Sequence, residues 1–535
     1  MMITARQTHP MLRTAILALV LLTALFGLSA VSGADPAFAA SKVKLSKTRI
    51  TVQTGAKVKL SVKNAGKKVK WTTSDKKRVA ISKKSGKKKQ NVVLKAGKKT
   101  GTCWIKAKVG KKTLKCKVTV KGKAGSTEPK VLPLSKSSVD LSAKYPYSAA
   151  TDKDSDTAFD KAYTDFAVRL LQETIRGDSS TLNILISPDS VMTALTMTEN
   201  GAAGETKEEM QKVLSGSVTA SDVNKYLYRM HSRLSGSQGL IYRNSNSIWA
   251  KKGVINAAPD FLKTNKKYYK ASFYGAPFNN DTISDMNKWV YNNSRNMIRK
   301  IIEPNGLSED ARLVLINAVA FEGPWSKPLN TVSKDSDKVF TAADHTEQKV
   351  TMLAGTGDGY LELANGQGFC YNYSSKDIAF VGILPPEGAS VRTWAATLSG
   401  EDLSDAWKNR TVPKGGVVFH LPAFKYDYSA SMKDVLKAMG MKKAFSAGAD
   451  FSGMIDPSGP DPKQSLQIDD VLHKTHIELD QNGTRAAAAT AVILEKSSAP
   501  VDQPEYVYLD RPFLYGLIDT KTGNPLFLGI VEKIQ

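Results

Sequence analysis

The sequence predicts a multidomain chain in which a small all-β sandwich is followed by a large α+β domain. The 535 residues exceed what one hydrophobic core usually organises, so at least two domains are expected. The net charge of +26 is concentrated near the N-terminus, where short alternating apolar runs are typical of strands. Beyond residue 157 the apolar spacing becomes helical, and long apolar runs of strand type follow.

The first 40 residues are typical of a secretory signal peptide. Arg6 and Arg13 precede an apolar run over residues 15 to 31, and the small-x-small pattern at 37–39 suits a signal peptidase. A membrane anchor is the alternative, but the run is short for a span and ends in the cleavage-like site. We therefore expect cleavage and export, with the mature protein secreted to the extracellular space or associated with the cell surface.

Residues 41–121 are expected to form a small antiparallel β-sandwich with Lys on its exposed face. From residue 42 to 123 there are 29 Lys and Arg against one acid, Asp75, so this stretch carries +28 and the rest of the chain −2. The segments "VKWTTSDKKRVAIS" and "GTCWIKAKVGKKTLKCKVTV" resemble the bacterial group 2 immunoglobulin-like repeat. That resemblance implies an Ig-like sandwich closed by a terminal hairpin.

The dense positive charge of this stretch favours an anionic partner. Trp71 and Trp104 are its few aromatics, so it lacks the stacking faces of a single-strand binder, and export separates it from nucleic acid. An anionic cell-surface or mucosal polymer is the better partner. It would be attracted by long-range electrostatic forces, whose range decreases as the salt concentration rises. The alternative is that Lys only solvates the surface and protects edge strands. Residues 122–156 have the composition of a linker.

Two of the three cysteines lie in the terminal hairpin. Cys103 and Cys116 are symmetric about Val109-Gly110, so they are expected to face each other, and export permits a disulfide between them. Closing so short a loop would stabilise the fold by about 3 kcal/mol. Two unpaired thiols are the alternative. Cys370 lies in an apolar stretch and is expected to be a free core residue.

Residues 157–535 are expected to form a mixed α+β domain without catalytic machinery. Apolar residues at helical spacing over 157–177 end at Gly177, and Pro188 opens a further helix. The chain contains no nucleophile elbow, phosphate-binding loop or zinc-binding helix. His473 and His476 are three apart in an alternating run, which places them on opposite faces of a strand. We therefore expect no enzymatic activity, no metal and no cofactor. A Ser-His hydrolase is the alternative, although no motif supports it.

Five sequence blocks resemble the serpins, a family of suicide inhibitors of serine proteases, over the whole of 157–535. The resemblance, clearest in "LINAVAFEGPW" and "HKTHIELDQNGTRAAAAT", is carried by residues 183–214, 315–325, 421–445, 473–490 and 511–531. It implies a large central mixed sheet with surrounding helices and an exposed reactive loop. It also implies a covalent complex, because the loop is cleaved as a substrate and then inserts into the sheet as a new strand. We expect a monomer.

The alternation of the loop residues agrees with strand insertion. The resemblance assigns the hinge of the loop to Gly483, Thr484, Arg485, Ala486, Ala487, Ala488, Ala489 and Thr490. The side chains of an inserted strand are alternately buried and exposed. If Thr484 is the first buried side chain, the buried side chains of the loop carry no charge, and the charged Arg485 and Glu495 are both exposed. The family usually carries Glu where this chain has Gln481 and Arg485, which leaves a non-inhibitory serpin as an alternative.

The resemblance also assigns the residues that support insertion. Ser187, Ser190, Asn317 and His473 match the shutter, a polar cluster under the sheet where strands part. Trp325 matches the tryptophan of the breach, the top of the sheet where the hinge enters. A helix cap for Ser187 and a core position for His473 are compatible with these roles.

The target protease depends on the reactive bond, for which two positions remain open. The usual spacing from the hinge places the bond at Ser497-Ser498, which suits elastase-like or subtilisin-like proteases. One residue earlier, Lys496-Ser497 suits trypsin-like enzymes. The function expected is therefore suicide inhibition of a serine protease. A serpin whose main role is surface binding through residues 41–121 is the alternative.

Overall fold

The computed structural model describes most of both expected domains. The described residues are 43–121, 131–147, 149–253, 256–308, 310–332, 339–459, 465–485 and 503–535. The predicted signal peptide, the hinge from Ala486 to Thr490 and both candidate reactive bonds lie outside them. Within the described residues, no helix is both long and apolar enough to cross a membrane.

Residues 43–121 form two four-stranded sheets around a single core. The strands are β1 (Lys44–Leu45), β2 (Arg49–Gln53), β3 (Lys57–Lys63), β4 (Val69–Thr73), β5 (Val79–Ser85), β6 (Asn91–Ala96), β7 (Gly101–Val109) and β8 (Lys112–Lys121). One sheet has the order β1-β3-β6-β5 and the other β2-β8-β7-β4. Buried side chains of both sheets, including Leu60, Trp71 and Ile105, belong to one apolar cluster.

The expectation of a purely antiparallel module is wrong at one position. Strand β2 pairs with β8 in parallel, from Arg49 opposite Lys117 to Gln53 opposite Lys121. The preceding strand β1 belongs to the other sheet, so the chain crosses between the sheets before β2. Strand β8 is far from β2 in the sequence. A hairpin turn therefore does not constrain their relative direction.

The predicted pairing of Cys103 with Cys116 is also wrong. The hairpin turn is centred between Gly110 and Lys111, so Cys103 stands opposite Val118 and Cys116 opposite Ile105. The two thiols are therefore in diagonal positions of the hairpin, and both are free and buried. Burial raises the pKa of Cys116 to about 11. Cys370 is a free buried thiol, as expected.

The larger domain is a mixed α+β structure. Its first helix coincides with the predicted helix, and the side chain of Asp156 caps it by accepting a hydrogen bond from the N–H of Phe159. The helices are α1 (Thr157–Gly177), α2 (Pro188–Glu199), α3 (Gly204–Leu214), α4 (Ala220–Ser235), α5 (Pro259–Tyr269), α6 (Asn280–Asn293), α7 (Val391–Ala395), α8 (Gly400–Lys408) and α9 (Lys433–Ala438).

The strands of this domain form several sheets. They are β9 (Val139–Asp140), β10 (Ile184–Ile186), β11 (Ile241–Lys251), β12 (Ser272–Ala276), β13 (Leu313–Pro324), β14 (Asn330–Thr331), β15 (Val339–Thr341), β16 (Glu347–Lys349), β17 (Met352–Gly357), β18 (Gly359–Leu363), β19 (Gly366–Asn372), β20 (Ile378–Leu384), β21 (Val417–Pro422), β22 (Phe424–Ser431), β23 (Asp470–Asp480), β24 (Gly483–Thr484), β25 (Glu505–Tyr508), β26 (Phe513–Asp519) and β27 (Pro525–Val531). The largest sheet has seven strands in the order β22-β23-β24-β13-β11-β12-β9. A six-stranded sheet, β10-β27-β26-β20-β19-β18, and a four-stranded sheet, β14-β17-β21-β25, accompany it.

Part of the predicted linker is packed against the large domain. Residues 131–147, here called the strap, include β9, which pairs with β12 at the edge of the seven-stranded sheet. Leu134 packs against an apolar cluster built on α6 and the sheet. The backbone N–H of Ser135 donates to the carboxylate of Asp285 in α6, at 2.9 and 3.0 Å. The linker prediction is therefore wrong for this part of the chain, because its small polar residues satisfy specific buried partners.

Candidate functional site

The central strands β13 and β23 of the seven-stranded sheet are joined directly at one end only. Their parallel pairing runs from Val314 opposite Asp470 to Ile316 opposite Leu472. At the other end the short strand β24 lies between them and pairs antiparallel with both. The start of the predicted reactive loop therefore holds the two strands apart at the top of the sheet.

Gly483, the first residue of β24, occupies a position that only glycine fits. Its φ is +148°, and a Cβ atom there would lie 2.1 Å from the carbonyl oxygen of Gly323 on the neighbouring strand. The missing side chain allows the hinge to approach β13 closely enough to pair with it.

Thr484 is the first loop side chain buried under the sheet. It is 3% exposed and stands opposite Gly323 on β13 and Leu479 on β23. Its hydroxyl lies 2.5 Å from the hydroxyl of Tyr373, within hydrogen-bond distance. Tyr373 in turn stacks on Trp325, with ring centroids 4.5 Å apart and planes 17° from parallel. The Tyr373 hydroxyl in the breach is therefore a hydrogen-bond partner for Thr484, the first buried residue of the loop.

Trp325 fixes the turn that leads into the hinge. Its indole Nε1 donates to the carbonyl oxygen of Asp480, and its backbone N–H donates to that of Asn482, both at 2.9 Å. The carbonyl oxygen of Gln481 accepts from the N–H of Leu329 at 2.8 Å. The carbonyl oxygens of all three residues before Gly483 thus accept hydrogen bonds from Trp325 or Leu329. The resemblance assigned Trp325 to this region, the breach.

The inserted strand ends at Thr484. Arg485 is only partly buried, and its N–H donates to the carbonyl oxygen of Glu478 at 2.6 Å. Its φ is +38°, a backbone conformation uncommon for a residue with a side chain. Further insertion therefore requires the Arg485 backbone to become extended.

The predicted shutter residues meet where β13 and β23 separate. Asn317 and His473 each lie one residue beyond the last directly paired positions of these strands. The Nε2 atom of His473 accepts from the backbone N–H of Ser187 at 3.1 Å, and the Ser190 hydroxyl donates to the side-chain oxygen of Asn317. Ser187 and Ser190 belong to the start of α2, whose residues are all buried. The structure therefore brings all four residues into one buried cluster.

His473 is neutral in this cluster. Complete burial lowers its pKa to about 4, and the hydrogen bond from Ser187 requires an unprotonated Nε2. His476 lies on the other face of β23, where its Nδ1 is 2.6 Å from a carboxylate oxygen of Asp427. Among the described residues, no group of three or more His, Cys, Asp or Glu side chains could hold a metal ion.

Sequence reasoning missed several residues of the site. Tyr373, under the hinge, was detectable only as the last aromatic of the alternating run that includes Tyr371. Asn244 and Asn246 on β11 were also missed; their side-chain oxygens accept from the Asn317 amide at 2.7 and 2.6 Å. They extend the shutter network to a third strand.

A buried carboxylate beside the shutter was also missed. Asp189 in α2 lies 2.8 Å from Nε2 of His231 and accepts hydrogen bonds from Tyr242 and, at 2.7 Å, from Asn244. Burial alone would raise the pKa of Asp189, but His231 and these donors outweigh it and hold that pKa below its usual value. Asp189 thus connects α2, α4 and β11 next to the point of strand separation.

These features define a class of α+β protein in which a two-residue strand at the start of the predicted reactive loop lies between two central strands of the largest sheet. The model of the family "Serpin (serine protease inhibitor)" matches residues 161–534. The chain belongs to the serpin family.

Known relatives agree with this assignment. An uncharacterized serpin-like protein of Thermococcus kodakarensis is 33% identical over 360 residues, which cover 65% of this chain and 80% of that protein. The crystal structure of tengpin, a thermophilic serpin, in its native state has 34% identity and a TM-score of 0.67, covering 74% of this chain and all of that one. The latent state of tengpin gives a TM-score of 0.60 at 32% identity. Human thyroxine-binding globulin, at 23% identity and a TM-score of 0.61, covers 71% of this chain and all of that one and shares the fold.

Proposed function

We propose that this serpin is a secreted suicide inhibitor of serine proteases that traps its target as a covalent acyl-enzyme. The observation that carries the proposal is β24, since the first two hinge residues occupy the position between β13 and β23 that an inserting loop must enter. The glycine at 483 and the uncharged, buried Thr484 support entry of the strand that follows.

The chemistry of trapping is that of an interrupted proteolysis. The catalytic serine of the protease attacks the carbonyl carbon of Ser497, the bond to the nitrogen of Ser498 breaks, and the new amino terminus takes up a proton. An ester then joins protease and inhibitor. If about fourteen loop residues insert at roughly 3.3 Å each, the ester moves on the order of 45 Å, which can distort the protease active site before water hydrolyses the ester.

The reactive bond decides the target class. Ser497-Ser498 offers a small residue to elastase-like or subtilisin-like proteases, and Lys496-Ser497 offers a cation to trypsin-like enzymes. We favour the first position because it keeps the usual spacing from the hinge.

One experiment tests inhibition and the reactive bond together. The mature protein is incubated with elastase, trypsin, chymotrypsin or subtilisin, separated on denaturing gels, and the released C-terminal peptide is weighed. We expect an SDS-stable complex with elastase or subtilisin and a peptide that begins at Ser498. A peptide beginning at Ser497 would move the reactive bond to Lys496, and the absence of a complex with every protease would refute inhibition.

A non-inhibitory serpin is the second candidate. It is favoured by Arg485, where a cation with positive φ occupies the hinge. In that case the loop would be cleaved and the protease released active, so the gels would contain cleaved protein without complex.

The cellular location and the nature of the N-terminal module are further parts of the proposal. We propose that residues 1–40 are removed on export, that the mature protein is a monomer, and that residues 41–121 are an Ig-like domain. The two sheets around one core containing Trp71 support the last of these. N-terminal sequencing and sedimentation of the exported protein test the other two.

A further inference from the structure

One exposed sheet face of the N-terminal module carries more positive charge than its fold requires. The outer side of the sheet β2-β8-β7-β4 is here called the lysine face and consists of Arg49, Lys70, Lys106, Lys108, Lys115, Lys117 and Trp104. All seven side chains are exposed, and the residues that alternate with them in β7, such as Cys103 and Ile105, are buried in the core. Sheet geometry therefore gathers these cations on one surface.

Cations stand directly opposite one another on this face. Lys106 is opposite Lys115, and Arg49 is opposite Lys117. Like charges in such positions destabilise a sheet. Strands β7 and β8 are the two central strands, so protection of edge strands does not explain their four lysines.

No acid within the module neutralises the lysine face. Asp75 is the single acid between residues 42 and 123, and its carboxylate is 2.7 Å from the guanidinium of Arg78. The positive field of the face is therefore directed at the solvent and at whatever the solvent contains.

Trp104 adds an apolar platform among the charges. It is 43% exposed and stands opposite Lys117. Trp71 on the neighbouring strand β4 is instead buried, and its Nε1 donates to the backbone carbonyl oxygen of Lys89. The Trp104 backbone is held in place by two hydrogen bonds with Ser74, each 2.9 Å long. The ring therefore has a fixed base and an accessible surface.

We propose that the lysine face binds a linear glycan whose units are joined by phosphodiesters, with Trp104 against a sugar ring and the lysines at successive phosphates. Lysines on one face of a strand recur about every 6.6 Å, and neighbouring strands are about 4.8 Å apart, which is the scale of one sugar or polyol phosphate. A single exposed aromatic offers one stacking position, whereas a nucleic-acid strand requires several. This inference is independent of protease inhibition and would localise the inhibitor at a phosphate-rich surface.

The test compares two variants that lose the same charge. The first carries Lys106→Gln, Lys108→Gln, Lys115→Gln and Lys117→Gln on the lysine face. The control carries four exposed substitutions on the other sheet: Lys57→Gln, Lys59→Gln, Lys63→Gln and Lys95→Gln. The probe is glucosylated poly(glycerol phosphate), titrated into the mature protein at low and at physiological salt.

We expect the lysine-face variant to raise the Kd about tenfold or more, and the control variant to change it less than about threefold. Equal losses in both variants would overturn the proposal, because net charge alone would then explain binding. Thermal unfolding checks that both variants are folded, and the lysine-face variant should be no less stable because opposed cations have been removed. Protease complex formation should be unchanged in both.

Two further measurements separate a glycan from other polyanions. Trp104→Ala should weaken binding of the glucosylated polymer but not of the unsubstituted poly(glycerol phosphate), because only the former offers a ring. Duplex DNA at equal phosphate concentration should bind more weakly than the glucosylated polymer. Equal affinity for DNA, or a Trp104→Ala effect independent of glucose, would contradict the glycan assignment.

Discussion

At the scale of single residues, the hinge depends on which side chains enter the sheet. Thr484 is buried beside Tyr373, while Arg485 remains partly exposed and turned out of the strand. We therefore expect a charge to be tolerated at position 485 and excluded at position 484, because an unpaired charge buried under a sheet costs several kcal/mol.

Thr484→Arg should convert the inhibitor into a substrate. Burying a guanidinium costs several kcal/mol, so insertion should lose the competition with hydrolysis and the inhibitor consumed per trapped protease should rise at least about tenfold. Arg485→Glu is the matched control and should leave this stoichiometry nearly unchanged. Quantitative gels that separate complex from cleaved inhibitor measure the stoichiometry of both variants. The same stoichiometry in both would contradict the proposed alternation of buried and exposed loop side chains.

His473 should make the sheet less stable in acid. Burial lowers its folded-state pKa from the ordinary 6.5 to about 4, so the unfolded chain binds more protons between these values. The stabilisation is present above pH 6.5 and lost as the pH falls to 4, by about 3 kcal/mol. Denaturant unfolding at pH 7.5 and 4.5 should show a smaller pH difference for His473→Gln than for the wild type; the same difference in both would contradict this.

Glu199 should make the folded state less stable as the pH rises, which is the opposite of the pH dependence expected from His473. It is fully buried at the end of α2, neither carboxyl oxygen has a hydrogen-bond partner among the described residues, and burial raises its pKa to about 7 against a small opposing effect of Lys207. The folded state favours the protonated form, so stability falls as the pH rises from 4.5 through 7. Glu199→Gln should therefore be more stable than the wild type at pH 8 by about 3 kcal/mol and no more stable at pH 4.5. Thermal unfolding at both pH values measures this, and a destabilised variant at pH 8 would refute it.

At the scale of elements, the strap shows how a short polar segment becomes part of a sheet. Its β9 covers the edge of β12, and Ser135 reaches the buried carboxylate of Asp285 through its N–H and hydroxyl groups. A sheet edge that would otherwise expose unpaired groups is thereby covered.

Asp285→Ala should release the strap from α6. The loss of charge-assisted hydrogen bonds from Ser135 should cost about 2 kcal/mol, which corresponds to about thirtyfold faster amide exchange in the strap. Lys288→Ala removes only the ion pair on the other side of Asp285, 3.3 Å long, and should have a smaller effect. Hydrogen exchange by mass spectrometry distinguishes them, and unchanged exchange in Asp285→Ala would show that apolar contacts suffice.

At the scale of the whole molecule, the described residues include the start of the predicted reactive loop within the seven-stranded sheet. Two hinge residues lie between β13 and β23, and the structure is more similar to native than to latent tengpin, with TM-scores of 0.67 and 0.60. If the rest of the loop inserts after cleavage, as the proposed function requires, the added ladder hydrogen bonds should lower the free energy of the folded chain.

Cleavage in the reactive loop should raise the thermal stability. About a dozen added ladder hydrogen bonds at about 1 kcal/mol each should increase the Tm by about 10 °C or more. Calorimetry before and after limited proteolysis measures the shift, and Thr484→Arg should gain less. An unchanged Tm after cleavage would indicate that the loop does not insert.

The sequence determined the family of the large domain and the order of its motifs. These properties depend on composition, motif order and local periodicity, which are properties of contiguous residues. The helix at 157–177 belongs to the same category because its backbone requirements are local, whereas glycine is required at 483 because β13 approaches so closely.

Only the tertiary structure decided which distant residues meet. The cysteine prediction failed because a shift of the turn by one residue moves every cross-strand pair, and the linker prediction failed because composition does not reveal a partner such as Asp285. The contact of Tyr373 with Thr484, the burial of Glu199 and the gathering of cations from four strands into one face likewise follow from strand order and packing between segments far apart in the chain.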